Sequence, residues 1–255
     1  MICDTESNSS VHLGNHVYLY ELINNKLENP KLILNLPASP GPIHDGGKVL
    51  IGPDKNVYAV IGDVRNHGTQ AQNIASGGPP DLTGSIIRVT QEGNPVLNSP
   101  LGNTYPINLY YAYGIRNSFG MDFDPVTGKL CDTENGPNYV DEINLVEPGF
   151  NGDEIVNENA GLLNLHPTNL VDFGGKGKYR APEFIWFQTV APTALKFLNS
   201  TKLGKQYQND MFVGDYNNGN LYHFKLNQNR TGLVLRNTLV DKIANTPEDA
   251  KPVWN

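Results

Sequence analysis

The chain has 255 residues, a formal net charge of −7 and only 18% charged residues, with 26 glycines and 18 prolines. The acidic balance and the lack of a basic stripe argue against nucleic acid or an anionic membrane surface as a partner. No apolar run is long enough to span a bilayer, and the first residues lack the pattern of a signal peptide. Many turn residues with few charges predict an all-β sandwich, barrel or propeller.

The N-terminal part of the chain is polar before its first strands begin. Residues 1–15 are rich in serine and asparagine and are predicted to be frayed, whereas residues 16–255 are predicted to form a single domain. Apolar and polar residues alternate from 17 to 22, and a second apolar run follows at 31–36. This pattern predicts a β-hairpin.

A repeated order of strands follows the hairpin. Residues 49–93 read as strand, Pro/Gly turn, strand, long polar loop, strand and turn, and the same order recurs at 119–150 and 194–229. The copies start roughly 70–75 residues apart, with loops of unequal length between them. A strand-rich unit that repeats and cannot bury its own faces predicts a β-propeller.

The stretch from Tyr113 to Asn144 carries the strongest functional pattern. It contains Gly-Ile-Arg-Asn-Ser-Phe-Gly-Met-Asp-Phe-Asp-Pro and then Glu-Asn-Gly-Pro-Asn-Tyr-Val-Asp-Glu-Ile-Asn. The loop at 134–138 concentrates carboxylate, amide and backbone oxygens, which suit Ca²⁺. Arg116 could hold a carboxylate or a developing negative charge. On composition alone, a polar loop with Arg116 in a structural salt bridge explains the same residues.

These motifs, with Pro-Ile-His-Asp-Gly-Gly at 42–47, resemble the soluble glucose/sorbosone dehydrogenase family, PQQ-dependent aldose dehydrogenases built on a six-bladed β-propeller. The resemblance is clearest over residues 41–150. It implies an all-β, six-bladed-type propeller and, since the family is exported, an extracellular or periplasmic location. Only about 43 residues precede His44, so we expect either a compact ring of five to six blades or a ring incomplete at the N-terminus.

The resemblance also implies roles in catalysis. His44 is expected to be the general base that removes the anomeric O–H proton of an aldose, because imidazole titrates near neutrality. Asp141 matches the aspartate expected to orient His44. Arg116 is expected to stabilise the negative charge that develops on the C5 oxygen of the quinone.

Binding of the cofactors PQQ and Ca²⁺ is implied in the same way. The residues expected to contact them are Arg116, Asn117 and Lys196 for PQQ, and the backbone carbonyls of Gly136 and Pro137 for Ca²⁺. The chain departs from the family at 214–220, where basic residues are expected and Gly-Asp-Tyr-Asn-Asn-Gly-Asn is found. Lys196 is the only basic residue in the neighbouring predicted strand.

Two other functions fit parts of the same pattern. A propeller that has lost its cofactor could bind sugars or another protein, and the asparagines at 217–218 favour this alternative. A calcium-dependent lactonase of propeller type would instead need side-chain carboxylates and amides clustered on the axis. Asp63 and His67 are interpreted as polar surface residues of a long loop. The sugar, the external electron acceptor and the oligomeric state are left open.

Overall fold

The computed structural model describes residues 2–5, 12–38, 43–64, 68–152, 156–157, 162–163, 169–246 and 248–253. The strands up to the middle of the chain are β1 (Ile2–Thr5), β2 (His12–Ile23), β3 (Lys26–Leu36), β4 (Val49–Ile51), β5 (Val57–Ile61), β6 (Ser85–Val89), β7 (Tyr110–Tyr113), β8 (Ser118–Phe123), β9 (Leu130–Glu134) and β10 (Tyr139–Val146). Those that follow are β11 (Phe150–Asn151), β12 (Val156–Asn157), β13 (Leu162–Leu163), β14 (Lys178–Tyr179), β15 (Phe184–Gln188), β16 (Pro192–Phe197), β17 (Met211–Asp215), β18 (Leu221–Phe224) and β19 (Ile243–Ala244). Short 3₁₀ helices lie at Gln70–Gln72, Ile107–Leu109, Lys205–Tyr207 and Asn237–Asp241.

Each predicted repeat forms one sheet. The first sheet has the order β14-β11-β7-β6-β5-β4, the second β19-β15-β10-β9-β8, and the third β16-β17-β18. Within each repeat the consecutive strands pair antiparallel, as in the blade of a propeller. The short strands β11, β14 and β19 extend the first two sheets by parallel pairing. The prediction of an all-β fold with repeated blades is therefore confirmed, and these three sheets are called the first, second and third blades below.

Strand β5 shows why the blades stack. Its sequence Val-Tyr-Ala-Val-Ile is buried throughout, because a sheet covered on both faces needs apolar side chains at every position. Successive side chains point to opposite faces. Val57, Ala59 and Ile61 pack with Leu34 of the N-terminal hairpin, whereas Tyr58 and Val60 pack in a separate cluster with residues of the second blade.

Strand β9 divides its side chains between the neighbouring blades in the same way. Leu130 packs with Met121 and Val146 against the first blade. Cys131, a free buried thiol, packs with Leu195 in the core shared with the third blade. Burying a side chain of this size contributes about 1.5–3 kcal/mol, so the junctions between blades hold the loops at the ends of the strands in fixed positions.

The N-terminal segment differs from its prediction. Residues 2–5 form β1, which pairs antiparallel with β2, instead of the frayed end that composition indicated. Strands β2 and β3 form the predicted hairpin, and both are longer than the apolar runs from which they were predicted. Strands β7 and β15, which complete the first two blades, had not been predicted. His67 lies outside the described residues.

Candidate functional site

His44 is held by a carboxylate of the first blade. Its Nδ1 lies 2.6 Å from Oδ1 of Asp63, and both side chains are mostly buried. Since Asp63 accepts from Nδ1, that nitrogen carries the ring proton of the neutral imidazole, and Nε2 is the nitrogen able to accept one. The backbone of His44 has φ = 58°, in the left-handed region that few non-glycine residues adopt.

The hairpin β4–β5 explains the pairing of His44 with Asp63. Val49 at the start of β4 pairs with Ala59 near the end of β5. His44 therefore precedes β4 at the same edge of the sheet at which Asp63 follows β5. Asn15 holds the loop from the other side, because its amide Nδ2 donates to Oδ1 of Asp45 at 2.7 Å.

Gly62 brings the loop of His44 against the loop of Arg116. A Cβ at Gly62 would overlap the carbonyl oxygen of Arg116 and would lie 2.5 Å from the carbonyl oxygen of His44. The next residue extends the junction, since the amide of Asp63 donates to the carbonyl of Arg116 at 2.8 Å. Only glycine permits this approach, which places the base and the arginine side by side.

Arg116 is joined to the loop that follows β9. Its backbone amide donates to Oε1 of Glu134, and its guanidinium donates to the carbonyl of Asn135 at 2.7 Å. The amide of Asn135 in turn donates to the carbonyl of Asn117 at 3.1 Å. The Oδ1 atoms of Asn117 and Asn135 are buried without a hydrogen-bond partner, so this part of the site has acceptor capacity left for a bound group.

Asp141 does not orient His44, contrary to the expectation from the sequence. Its Oδ1 accepts from the amide of Gly136 at 2.9 Å, and its Oδ2 accepts from the amides of Val190 and Ala191 at 2.6 and 2.7 Å. Burial raises the pKa of Asp141, while these hydrogen bonds and the charge of Arg116 oppose the rise. Asp141 thus fixes the turn at Gly136 against the loop after β15, and His44 receives its carboxylate from Asp63.

Lys196 pairs with a carboxylate of the second blade, and its contact with the cofactor stays a prediction. Its side chain is 72% exposed, and its Nζ pairs with Asp122 at 2.9 Å. Asp122 also accepts from the amide of Phe197 at 2.9 Å. The pair therefore connects β8 to β16.

The segment that was expected to supply basic residues does border the site. The amide of Tyr216 donates to the carbonyl of Ala191, and the amide of Asn217 donates to that of Val190. These are the two residues whose amides bind Asp141. The segment 214–220 therefore lies next to the loop that binds Asp141, and its side chains bring no positive charge.

The predicted Ca²⁺ ligands lie in the same cluster. Gly136 is half-buried and Pro137 is exposed on the turn that Asp141 fixes. Within the described part of the chain, no set of three or more His, Cys, Asp and Glu side chains is arranged to hold a metal ion. Ligation by two backbone carbonyls requires no such set, so the calcium site stays a prediction.

No helix among the described residues is long and apolar enough to cross a membrane.

The model of the family described as "Glucose / Sorbosone dehydrogenase" matches residues 3–245. The chain belongs to this family. It is 33% identical over 148 residues to quinoprotein glucose dehydrogenase B of Acinetobacter calcoaceticus, covering 52% of this chain and 30% of that protein. It is 27% identical over 176 residues to the aldose sugar dehydrogenase YliI of Escherichia coli, covering 67% and 44% respectively.

The fold is shared with solved structures of the family. The PQQ-bound form of an aldose sugar dehydrogenase from Streptomyces coelicolor superimposes with a TM-score of 0.59 at 23% identity, covering 87% of this chain and 57% of that chain. The β-propeller class is therefore confirmed. The chain spans between 30% and 47% of the length of the curated relatives it matches.

Asp63 is the site residue that the sequence analysis missed. Its signal was its place directly after Gly62, at the end of a strand that returns to the loop of His44. The antiparallel pairing of β4 with β5 makes that relationship a consequence of the hairpin. The motif match alone points to Asp141, because it does not include the pairing of these strands.

Proposed function

We propose that the protein oxidises an aldose sugar at C1 to the lactone, with His44 as the general base. The observation that carries this proposal is the pair of His44 and Asp63 beside Arg116, joined through Gly62. Nε2 of His44 takes the proton of the anomeric hydroxyl while a hydride leaves C1, and the C1–O bond becomes the lactone carbonyl. Asp63 keeps the Nδ1 proton in place and stabilises the imidazolium that forms.

PQQ, when bound, supplies the acceptor for the hydride, and Ca²⁺ polarises its carbonyl. The residues present fit such a group on one side. Arg116 provides a cation, Asn117 has a buried Oδ1 without a partner, and Gly136 and Pro137 offer backbone carbonyls on a turn fixed by Asp141. We further propose an aldose and an external electron acceptor as partners, and an extracellular or periplasmic location.

The scarcity of unpaired basic side chains at Lys196 and in the segment 214–220 favours a second function. Lys196 is paired with Asp122, and the segment 214–220 carries no basic residue. A cofactor with several carboxylates would meet few cations here, so binding of PQQ is expected to be weaker than in a site with more arginines and lysines. A β-propeller that binds sugars or a protein partner without catalysis is the second candidate.

The test is a titration of the purified protein with PQQ in the presence of Ca²⁺, followed by absorbance, with aldoses added afterwards. The proposal expects saturable binding and bleaching of the quinone by at least one aldose. His44→Ala should still bind PQQ but should bleach it about 10²–10⁴-fold more slowly, while His16→Ala, on the N-terminal hairpin, should behave as the wild type. Folded wild-type protein that binds no PQQ would support the non-catalytic function.

A further inference from the structure

The face of the second blade that meets the first blade turns from apolar to polar along its strands. At one end Leu130 lies opposite Val146, and both belong to the apolar cluster shared with the first blade. Two residues further along the same face, Asp132 lies opposite Asn144. Asp132 is fully buried and Asn144 is 1% exposed. A carboxylate therefore takes a place in the junction between blades where an apolar side chain would fit the pattern.

The next set of facing residues along this side of the sheet is acidic as well. Glu134 lies opposite Ser118 on one side and opposite Glu142 on the other, and all three are buried. Side chains directly opposite in an antiparallel pair have Cβ atoms about 4.5–5.5 Å apart, and like charges at that distance destabilise the sheet. Glu134 accepts the amide of Arg116, and Glu142 accepts from Nδ2 of Asn144.

The oxygens around Asp132 are short of hydrogen bonds. Neither carboxylate oxygen of Asp132 accepts one of normal geometry, and Oδ1 of Asn144 and Oγ of Ser118 are also buried without a partner. Asn144 lies directly opposite Asp132 on β10, and Ser118 lies opposite Glu134, two residues further along β9. Burial raises the pKa of Asp132, and the interaction with these two side chains lowers it. A buried charge in a protein is normally paired or bound to a metal ion.

We propose that Asp132, Asn144 and Ser118 form a buried site for a hard cation of the Ca²⁺ type. A carboxylate, an amide oxygen and a hydroxyl are oxygen ligands of the kind that Ca²⁺ takes. The described residues contain no group of three or more His, Cys, Asp and Glu side chains that could hold a metal ion. The proposed site does not need such a group, because only one of its three ligands is a carboxylate.

This site is distinct from the turn at Gly136 and Pro137. At about 3.3 Å per residue of extended strand, four residues separate Asp132 from Gly136 by on the order of 10 Å. The site bears on the functional residues because Glu134 fixes the backbone of Arg116. A cation bound at Asp132 would stabilise β9, the strand that also carries Glu134.

The experiment uses chelator-treated protein without PQQ, titrated with CaCl₂ by calorimetry and followed by thermal unfolding. We expect saturable binding with a rise in Tm for the wild type. Asp132→Asn should lose this binding step, with an affinity at least tenfold weaker and no rise in Tm. Ser118→Ala, which keeps the charge, should weaken binding severalfold. Glu147→Gln is the matched control, because it removes one exposed carboxylate from the turn after β10, the strand that carries Asn144, and should bind as the wild type does.

Two results would overturn the proposal. One is wild-type protein, folded by circular dichroism, that shows no saturable binding of Ca²⁺, or that binds it as tightly as Asp132→Asn. The other is an infrared band of a protonated carboxyl group at pH 7 in the wild type that Asp132→Asn removes and that Ca²⁺ leaves unchanged, since the carboxyl would then be neutralised by a proton. If Asp132→Asn does not fold, the comparison of Ser118→Ala with Glu147→Gln decides the outcome.

Discussion

Oδ1 of Asp63 lies 2.6 Å from Nδ1 of His44, while the backbone amide of Asp63 donates to the carbonyl of Arg116. One residue thus holds the imidazole with its side chain and the arginine loop with its backbone. Asp63 therefore fixes the base and the cation of the candidate site relative to each other.

Asp63→Asn should change the tautomer of His44 and lower turnover. The amide of asparagine can present either an acceptor or a donor to Nδ1, so the imidazole loses its fixed tautomer. We expect turnover per bound PQQ to fall by about 10²–10⁴-fold, with PQQ binding nearly unchanged. Histidine ¹⁵N NMR provides a readout that needs no activity: His44 should show one tautomer in the wild type and a mixture in the variant. An unchanged tautomer would contradict this role.

Asp141→Asn should lower the free energy of unfolding more than it lowers turnover. The wild-type carboxylate accepts three backbone amides. An asparagine must turn its NH₂ group toward at least one of these donors, which leaves a buried amide unsatisfied at about 1–3 kcal/mol. Urea denaturation should show the loss, whereas turnover per folded molecule should fall far less than in Asp63→Asn. The reverse ranking of the two variants would restore Asp141 as the orienting residue.

Gly62→Ala should disturb the junction of the two loops. The added methyl group would overlap the carbonyl of Arg116, and the backbone shift that relieves it should cost about 1–3 kcal/mol. Gly78→Ala is the matched control, because a Cβ there meets nothing within 4 Å. Thermal unfolding and the ¹⁵N signals of His44 should change in Gly62→Ala alone. Equal Tm values for the two variants would count against the packing argument.

Lys196→Ala should leave cofactor binding unchanged. The side chain of Lys196 is 72% exposed, and its ammonium group pairs with Asp122 on the neighbouring blade. Exposed pairs of this kind contribute about 0–1 kcal/mol, so the free energy of unfolding should fall by no more than that. A large loss of PQQ affinity, measured by absorbance titration, would mean that Lys196 reaches the cofactor in another conformation.

Asp124→Asn should reveal a pH-dependent contribution to stability. Burial tends to raise the pKa of Asp124, but hydrogen bonds from Arg230, Thr127 and the amide of Val126 hold it below its usual value. A carboxyl with a depressed folded pKa stabilises the protein above its unfolded pKa and loses that effect as the pH falls through the folded pKa. Since Asp124 and Arg230 form a buried pair at 2.6 Å, we expect a loss of about 3 kcal/mol at pH 7.

That loss should shrink as the pH drops below about 4, because the wild-type carboxyl then becomes protonated as well. Urea denaturation of both proteins between pH 3 and pH 7 provides the measurement. A difference that stays constant over this range would assign the effect of the substitution to packing and not to the ion pair.

The sequence by itself determined the class of the fold and the members of the site that belong to continuous motifs. Strand periodicity and turn residues placed β4 to β6 and β8 to β10 correctly, because these features depend on local geometry. The motifs around His44 and Arg116 indicated the family. Strands β7 and β15 were missed, since their buried aromatic residues follow loops that carry no repeating signal.

The tertiary structure decided which side chains meet. His44 takes Asp63 because an antiparallel hairpin returns β5 to the loop before β4. Asp141 is held by amides that lie 49 and 50 residues away in the chain, and Lys196 is drawn to Asp122 on the neighbouring blade. Spacing along the chain does not specify the end of the sheet at which a side chain lies, nor which charged group it contacts. Both depend on how strands that are distant in sequence pair and stack.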